Sequence, residues 1–492
     1  MMFAVFVILF AVFPLTDTDI WWHLACAREW VTTWTPVREP VVNVHEYFQQ
    51  VVGFIYGLGG ASLLVAFKAV LWGIVFGLFL CGHSELGSES ASLFKRHSGL
   101  RAGIGILLLF VFRFHFEIRP VLFSLVFLGV YWHAIPWLAE KWRESRFNAK
   151  VVACATLILA VQWLWCKCQG LYILGPIFTM LVCCMGLLEA RRQKQLRVKT
   201  VVPQVVFVML LWLMPFLHSD GLALFLYPFG LLDRLLGLTP SATLFASQIA
   251  ENRSPITLLM AGENVLESVL MVVLSLVGVF VALEKLISQK AEIGVQSSKY
   301  AWLLITALLA LIAERNFVLF LPVFSLCVFH CSFKVSREQR RKSSMIYFLL
   351  SAFILAFVLG VWAKSLSAYD YSMVAYQRVP VDATRWMVNH PHSGRLFNDD
   401  RAGGYLALMN SADSIYIDGR FILKTADFFE RYLEYAQNPS LFVADADSLG
   451  IDRAIFPLQY YARWDALLKG LVKAPSWHLV YRDEYFAIFD KI

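Results

Sequence analysis

Residues 2–24 read Met2-Phe-Ala-Val-Phe-Val-Ile-Leu-Phe-Ala-Val-Phe-Pro-Leu-Thr-Asp17-Thr-Asp19-Ile-Trp-Trp-His23-Leu24. An unbroken apolar run from Met2 to Leu15 gives way within two residues to a pair of carboxylates. The run lacks the basic flank of a signal peptide, and no small-x-small cleavage site follows it. It therefore predicts a retained first membrane helix, with Asp17 and Asp19 emerging where that helix leaves the bilayer. Runs of the same kind recur as far as Trp362. A membrane span needs about 20 apolar residues. Spans are expected near 2–16, 51–81, 102–115, 120–138, 151–166, 170–188, 201–217, 264–286, 301–313, 317–333 and 346–362.

The whole composition agrees. The 492 residues are 59% hydrophobic and 16% charged, with a mean hydropathy of +0.61. Soluble domains carry about 25% charged residues. A soluble enzyme is excluded, and the expected fold class is a polytopic α-helical membrane protein whose first partner is the lipid bilayer. The net charge of +7 is explained by loop Lys and Arg, so no nucleic-acid partner is expected. With the N-terminus in the cytoplasm, inner loops hold twenty Lys and Arg and outer loops eight. That is the bias the positive-inside rule requires. Eleven spans then place the C-terminus outside, in the manner of a bacterial inner-membrane protein with a periplasmic domain. The nine Cys all precede position 332. Most sit in apolar runs as small hydrophobes, and none has zinc-site spacing.

Beyond Trp362 the pattern changes. Arg395–Asn398, Ser414–Asp418, Asp452–Pro457, Trp477–Arg482 and Tyr485–Asp490 read as strands. Asp382–His390, Gly403–Met409, Ala426–Ala436 and Tyr461–Leu471 read as helices. Alternation of this kind predicts a small α/β domain with a mostly parallel sheet and a final hairpin. The domains expected are thus 1–362 in the membrane and 363–492 outside it, with outer loops at 17–50 and 218–262.

Chemistry-bearing residues collect at the outer face. Asp17 and Asp19 are candidates for a general base or, with His23, for a divalent-cation site. The bland alternative is that both Asp cap the helix starting near Trp21, with Trp21 and Trp22 anchored at the interface. Arg113, His115, Glu117 and Arg119 crowd ahead of Pro120, and Glu314-Arg315-Asn316 interrupts another apolar pair. Charges beside spans are costly and usually face a cavity or a partner, and an Arg fork suits phosphate. In the outer domain, Asn398-Asp399-Asp400-Arg401-Ala-Gly-Gly-Tyr405 and Tyr416-Ile-Asp418-Gly-Arg420 place polar groups just after expected strands. α/β sheets keep ligands at that edge, although Gly-Gly and Asp-Gly also serve as turns.

Together these features resemble the GT-C superfamily of integral-membrane glycosyltransferases, in particular bacterial members with a D-x-D-x-W-W-H-L start. The motif stands here as Asp17, Asp19, Trp21, Trp22, His23 and Leu24. The same group resembles the chain at Arg119-Pro120, Arg315-Asn316, Gly403-Gly404-Tyr405-Leu406 and Ile417-Asp418-Gly419-Arg420. The resemblance implies a GT-C-like fold and transfer of a sugar from a polyprenyl-phosphate-linked donor to a glycan, lipid or protein acceptor on the outer face. It implies Asp17 and Asp19 as catalytic residues, with Mg or Mn as an accompanying cation. Donor and substrate binding then falls to His23, Arg113, Glu117, Arg119, Arg315, Asn316, Asp399, Arg401, Tyr405, Asp418 and Arg420. Two segments depart from the group's pattern. W-x-N-x-H-G reads Trp165-Cys-Lys167-Cys-Gln169-Gly170, and N-P-Y-G reads His218-Ser-Asp220-Gly221. A non-catalytic scaffold that kept the fold is the alternative those departures raise. A secondary transporter is disfavoured because no inverted repeat is visible.

Overall fold

The computed structural model describes residues 2–38, 41–81, 98–236, 239–288, 294–329, 340–410, 412–459 and 462–492. Lys95, Arg96, Lys290, Lys334 and Arg337, counted above in the inner loops, lie outside them. The chain forms two compact units. The first takes in Met1–Val12, Phe67–Phe116 and Pro120–Tyr369. The second takes in Phe13–Ala66, Glu117–Arg119 and Asp370–Ile492. The second unit thus holds the 13–66 segment as well as the C-terminal region.

The first unit is a helical bundle. Among the described residues of the chain, eight helices are long and apolar enough to cross a membrane. They are Glu46–Leu80, Pro120–Arg143, Ala149–Cys166, Gly170–Arg192, Val198–Leu217, Val265–Ser288, Val295–Ile312 and Leu349–Ser367. The expected first, third and tenth spans are shorter helices as described: Met2–Phe10, Ser98–Val111 and Phe317–Phe329. Inside the bundle, one chain of polar side chains pairs up where water is scarce. Tyr131 donates to Gln162 at 2.7 Å, Gln162 to the Tyr172 carbonyl at 3.0 Å, and the Trp165 indole to Ser124 at 2.8 Å. The long helix Glu46–Cys81 breaks at Gly59 and Gly60, where Gly60 adopts φ +63°. That left-handed conformation comes readily only to glycine.

The second unit is built on a four-stranded sheet in the order β1-β2-β4-β3, with β1 at Arg395–Asn398, β2 at Ile451–Pro457, β3 at Trp477–Arg482 and β4 at Phe486–Lys491. Strand β1 pairs β2 in parallel, and β4 is antiparallel to both β2 and β3. The sheet is therefore mixed, not mostly parallel as expected. The reason lies in one segment and its tertiary contacts. Ser414–Asp418 is not a ladder strand. It lies against the 13–66 segment through the Thr33–Ile415 bridge, the Trp34 amide on the Ile415 carbonyl and the Thr35 hydroxyl on the Tyr416 carbonyl, and is held as well by the Asn398 side chain. Successive β1 residues point to opposite faces. Leu396 packs with Ala383, Met387, Ala402 and Leu406. Phe397 packs with Tyr416, Tyr432, Phe442, Phe456 and Trp464. Helices Val381–Asn389 and Asp400–Met409 thus cover one face, and Ala426–Gln437, Pro439–Leu449 and Asp465–Lys473 the other. The Pro439–Leu449 helix was not expected. It ends at Gly450 in the left-handed conformation (φ +70°), a frequent helix terminator, and runs straight into β2.

Candidate functional site

Helix Asp19–Arg28 begins at the second carboxylate of the opening motif. Asp17 lies just before it, 5% exposed, and accepts from the Asp19 amide at 3.3 Å. The short extended piece Glu117-Ile118-Arg119 runs beside residues 16 and 17. Residues two apart on an extended chain share a side, and both polar residues use it. Arg119 Nε donates to Asp17 Oδ2 at 2.8 Å, and Nη2 to Oδ1 at 2.9 Å. Thr16 Oγ1 donates to Glu117. Ile118, between them, is fully buried. Arg378 Nε fixes the Thr16 carbonyl at 3.1 Å, and the Leu15 amide donates to the Met373 carbonyl at 2.9 Å. A forked guanidinium on a carboxylate is among the stronger, better-oriented ion pairs. The Asp17 side chain is 3% exposed and that of Arg119 32%.

The rest of the opening motif is interior. Trp21 and Trp22 are buried in this unit, where the sequence suggested an interfacial anchor. Tyr405 meets the Trp21 ring edge-on at 4.9 Å. The Gly403-Gly404 and Gly419 positions explain themselves by close approach. A Cβ on Gly404 would lie 2.7 Å from the Trp22 amide nitrogen. One on Gly403 would lie 2.0 Å from the Ile417 carbonyl oxygen, and one on Gly419 2.0 Å from Asp19 Oδ1. These glycines let the 400–409 helix and the 418–420 turn close on the 19–28 helix. His23 is buried against Trp22, His45 and Phe48. Burial, then the neighbouring His45, Arg420 and Arg119, push it well below the usual imidazole range.

Asp418 and Arg420 are both buried and face each other. Arg420 Nε reaches both Asp418 oxygens at 3.0 and 2.9 Å, Nη2 donates to Oδ2 at 2.6 Å and to the Val31 carbonyl at 2.9 Å, and the guanidinium lies over Trp22 and Trp30. Asp399 is fully buried. It caps the 400–409 helix through the Arg401 and Ala402 amides and accepts from the Trp464 indole. Burial, then the adjacent Asp400 carboxylate, push it up. The Lys424 ammonium is held by Thr33 Oγ1, Thr35 Oγ1 and the Thr35 and Pro36 carbonyls, and burial brings it down to about 8. His392 bridges Asp452 through Nδ1 at 2.5 Å and Asp413 through Nε2 at 3.3 Å. Nothing in the sequence pattern singled out these last two contacts. They join residues far apart in the chain.

In the helical unit, Arg113 donates to the Phe110 carbonyl at 2.8 Å and lies against Phe110 and Phe114. Asn316 is buried and donates to the Leu309 carbonyl, while Arg315 is exposed. His115, Glu267 and Glu314 bring one ligand atom each within 4.8 Å of one another. Among the described residues this is the one group of His, Cys, Asp and Glu gathered closely enough to hold a metal ion. Glu267 starts a long helix, whereas His115 and Glu314 sit on two short turns that interrupt apolar runs. The two segments that depart from the GT-C pattern also meet: the Lys167 ammonium donates to Asp220, and His218 stacks on Trp163 with its Nε2 3.0 Å from the Trp163 carbonyl.

No family model matches the chain, and no curated protein matches it in sequence. Solved structures do match it. The oligosaccharyltransferase AglB of Archaeoglobus fulgidus, in complex with an inhibitory peptide and a dolichol-phosphate, superposes with a TM-score of 0.52 at 12% identity, over 95% of this chain and 71% of that one. The fold is that of a GT-C protein. The apo form of the A. fulgidus enzyme gives a TM-score of 0.50 at 10% identity, over 95% and 71%. A form tethered by a disulfide bond to an acceptor peptide containing the NVT sequon gives 0.51 at 11%, over 98% and 70%. At this identity the likeness shows the fold alone and leaves the chemistry to the chain's own residues.

Proposed function

We propose that the chain is a membrane glycosyltransferase that moves a sugar from a polyprenyl-phosphate-linked donor to an acceptor on the outer face of a bacterial inner membrane. The observation that carries the reading is the oriented Asp17–Arg119 pair at the start of the 19–28 helix, on a fold shared with an enzyme solved in complex with dolichol-phosphate. In this reading an acceptor nucleophile, set by hydrogen bonding to Asp17 or Asp19, attacks the anomeric carbon. The bond from that carbon to the phosphate oxygen breaks, the polyprenyl phosphate leaves with the bonding electrons, and the nucleophile's proton passes to the carboxylate. The part-exposed Arg119 side chain supports charge on the leaving phosphate.

Arg113, Arg315 and Asn316 are the helical unit's candidates for donor binding, and Glu117, His23, Asp399, Arg401, Tyr405, Asp418 and Arg420 those of the second unit. The contacts just described favour a positioning role for His23, Asp399, Tyr405, Asp418 and Arg420, whose side chains are buried. A divalent cation, Mg or Mn, would be held by His115, Glu267 and Glu314, an imidazole and two carboxylates suited to such ions. The membrane orientation that goes with this reading has the N-terminus inside and the 363–492 region outside.

The test is transfer from an extract of lipid-linked sugars to cell-envelope acceptors by the purified full chain. Asp17→Asn and Asp19→Asn are each expected to fold and insert as wild type, and at least one is expected to lose transfer by 100-fold or more. Full activity in both variants would remove the carboxylates from the mechanism. Activity dependent on the chain but not on either Asp would point to another base.

A further inference from the structure

The opening motif suggests a divalent cation at Asp17, Asp19 and His23. Their surroundings do not fit one. Oxygen-preferring divalent ions take six or more ligands, at about 2.0–2.6 Å. Asp17 is covered by three N–H donors: Arg119 Nε on Oδ2, and Arg119 Nη2 with the Asp19 amide on Oδ1. A carboxylate has about four acceptor positions, so three are spent. Thr16 turns its hydroxyl to Glu117. Asp19 Oδ1 packs at the Gly419 backbone, and the His23 ring is enclosed by Trp22, His45 and Phe48. The positive end of the 19–28 helix points at Asp17 as well, and that end favours anions. A cation bound to Asp17 would face both the guanidinium and the helix terminus.

We propose that Arg119 itself is the cation of the Asp17 centre: one edge of its guanidinium is fixed on the carboxylate, the part-exposed side chain takes a phosphate oxygen as well, and no divalent ion binds there. A metal that bridges a carboxylate and a phosphate is replaced by a fixed planar fork with donors on more than one edge. The role of the phosphate rests on the transferase reading above. The absence of a divalent ion at Asp17 does not, and it is what the experiment reads.

The measurement is Mn2+ binding by the full chain in nanodiscs, followed by electron paramagnetic resonance. Asp17→Asn is expected to leave Mn2+ stoichiometry unchanged and affinity within twofold of wild type. Any Mn2+ held by wild type is expected to be lost in Glu267→Gln/Glu314→Gln. Arg119→Asp, which sets a second carboxylate opposite Asp17, is expected to gain one Mn2+ site that Asp17→Asn removes again. Loss of one Mn2+ on Asp17→Asn with Arg119 in place would overturn the proposal. If Arg119→Asp does not fold, the wild-type and Asp17→Asn pair decides alone. Sugar transfer is not part of this readout, so failure of the transferase reading and failure of this inference are seen separately.

Discussion

Gly403→Ala separates packing from chemistry in the Gly403-Gly404-Tyr405 motif. The added methyl would stand 2.0 Å from the Ile417 carbonyl oxygen and 2.9 Å from Asn398 Nδ2. Comfortable contact begins near 3.5 Å, so the helix or the 416–418 segment must retreat by about 1 Å or more. Neither can move cheaply. Asn398 holds the segment through the Tyr416 amide at 2.8 Å and the Ile417 carbonyl at 2.7 Å, and the Trp34 amide holds the Ile415 carbonyl at 3.1 Å. Overpacking costs about 1–3 kcal/mol, and each buried bond left unmade about 1–3 kcal/mol. A loss on the order of 3–6 kcal/mol lowers the midpoint of a unit this size by roughly 10 °C. Gly419→Ala meets the end of the Asp19 side chain instead of backbone. A carboxylate can swing aside, so its midpoint is expected to fall by a few degrees at most, while Asp19 is displaced. The assay is a tryptophan-fluorescence melt of the full chain in nanodiscs. A Gly403→Ala midpoint equal to that of wild type, or above that of Gly419→Ala, would show that the 403 position tolerates a methyl.

Three further outcomes follow from named contacts. Burial works against a charged His392, but the hydrogen bonds to Asp413 and Asp452 outweigh it and raise the ring above its usual range. Its contribution is therefore full below about pH 6.5 and lost as pH rises through the raised value. Melts between pH 5.5 and 8.5 are expected to show that decline in wild type and a flatter profile in His392→Gln. Asp399→Asn is expected to leave the melt at pH 7 unchanged or higher, since Asn caps as well as Asp and no charge is then buried; a large fall would contradict the direction given for Asp399. Asp220→Asn is expected to destabilise more than Lys167→Met, because it takes the carboxylate from a buried ammonium. The double variant should resemble Lys167→Met, and strict additivity of the two melts would deny the pairing.

The GT-C-like fold came from the resemblance, and the apolar runs made the membrane-spanning helices legible in the sequence, because helical spans are local and long. Strands β1 to β4 were legible within a residue or so for the same reason. The sheet's order was not. It turns on Asn398 reaching the 416–417 backbone and on Thr33 bridging Ile415, contacts that no local pattern encodes. The site divides in the same way. Asp17 and Arg119 could each be named from their chemistry, but 102 positions separate them and their pairing is tertiary. Asp418 and Arg420 stand two apart and read equally well as ligand groups; burial shows them bound to each other. His115, Glu267 and Glu314 escaped as a set because they come from three separate segments.

Sugar transfer from a polyprenyl-phosphate donor through Asp17 meets its most direct test in cells. Lipid-linked sugars and envelope glycans are weighed by mass spectrometry in a strain lacking the chain, complemented with wild type or with Asp17→Asn at equal membrane level. The deletion is expected to accumulate one polyprenyl-phosphate-linked sugar and lose one matching glycan increment, wild type to reverse both, and Asp17→Asn to reverse neither. Unchanged profiles in the deletion strain, or full reversal by Asp17→Asn, would contradict transfer through Asp17.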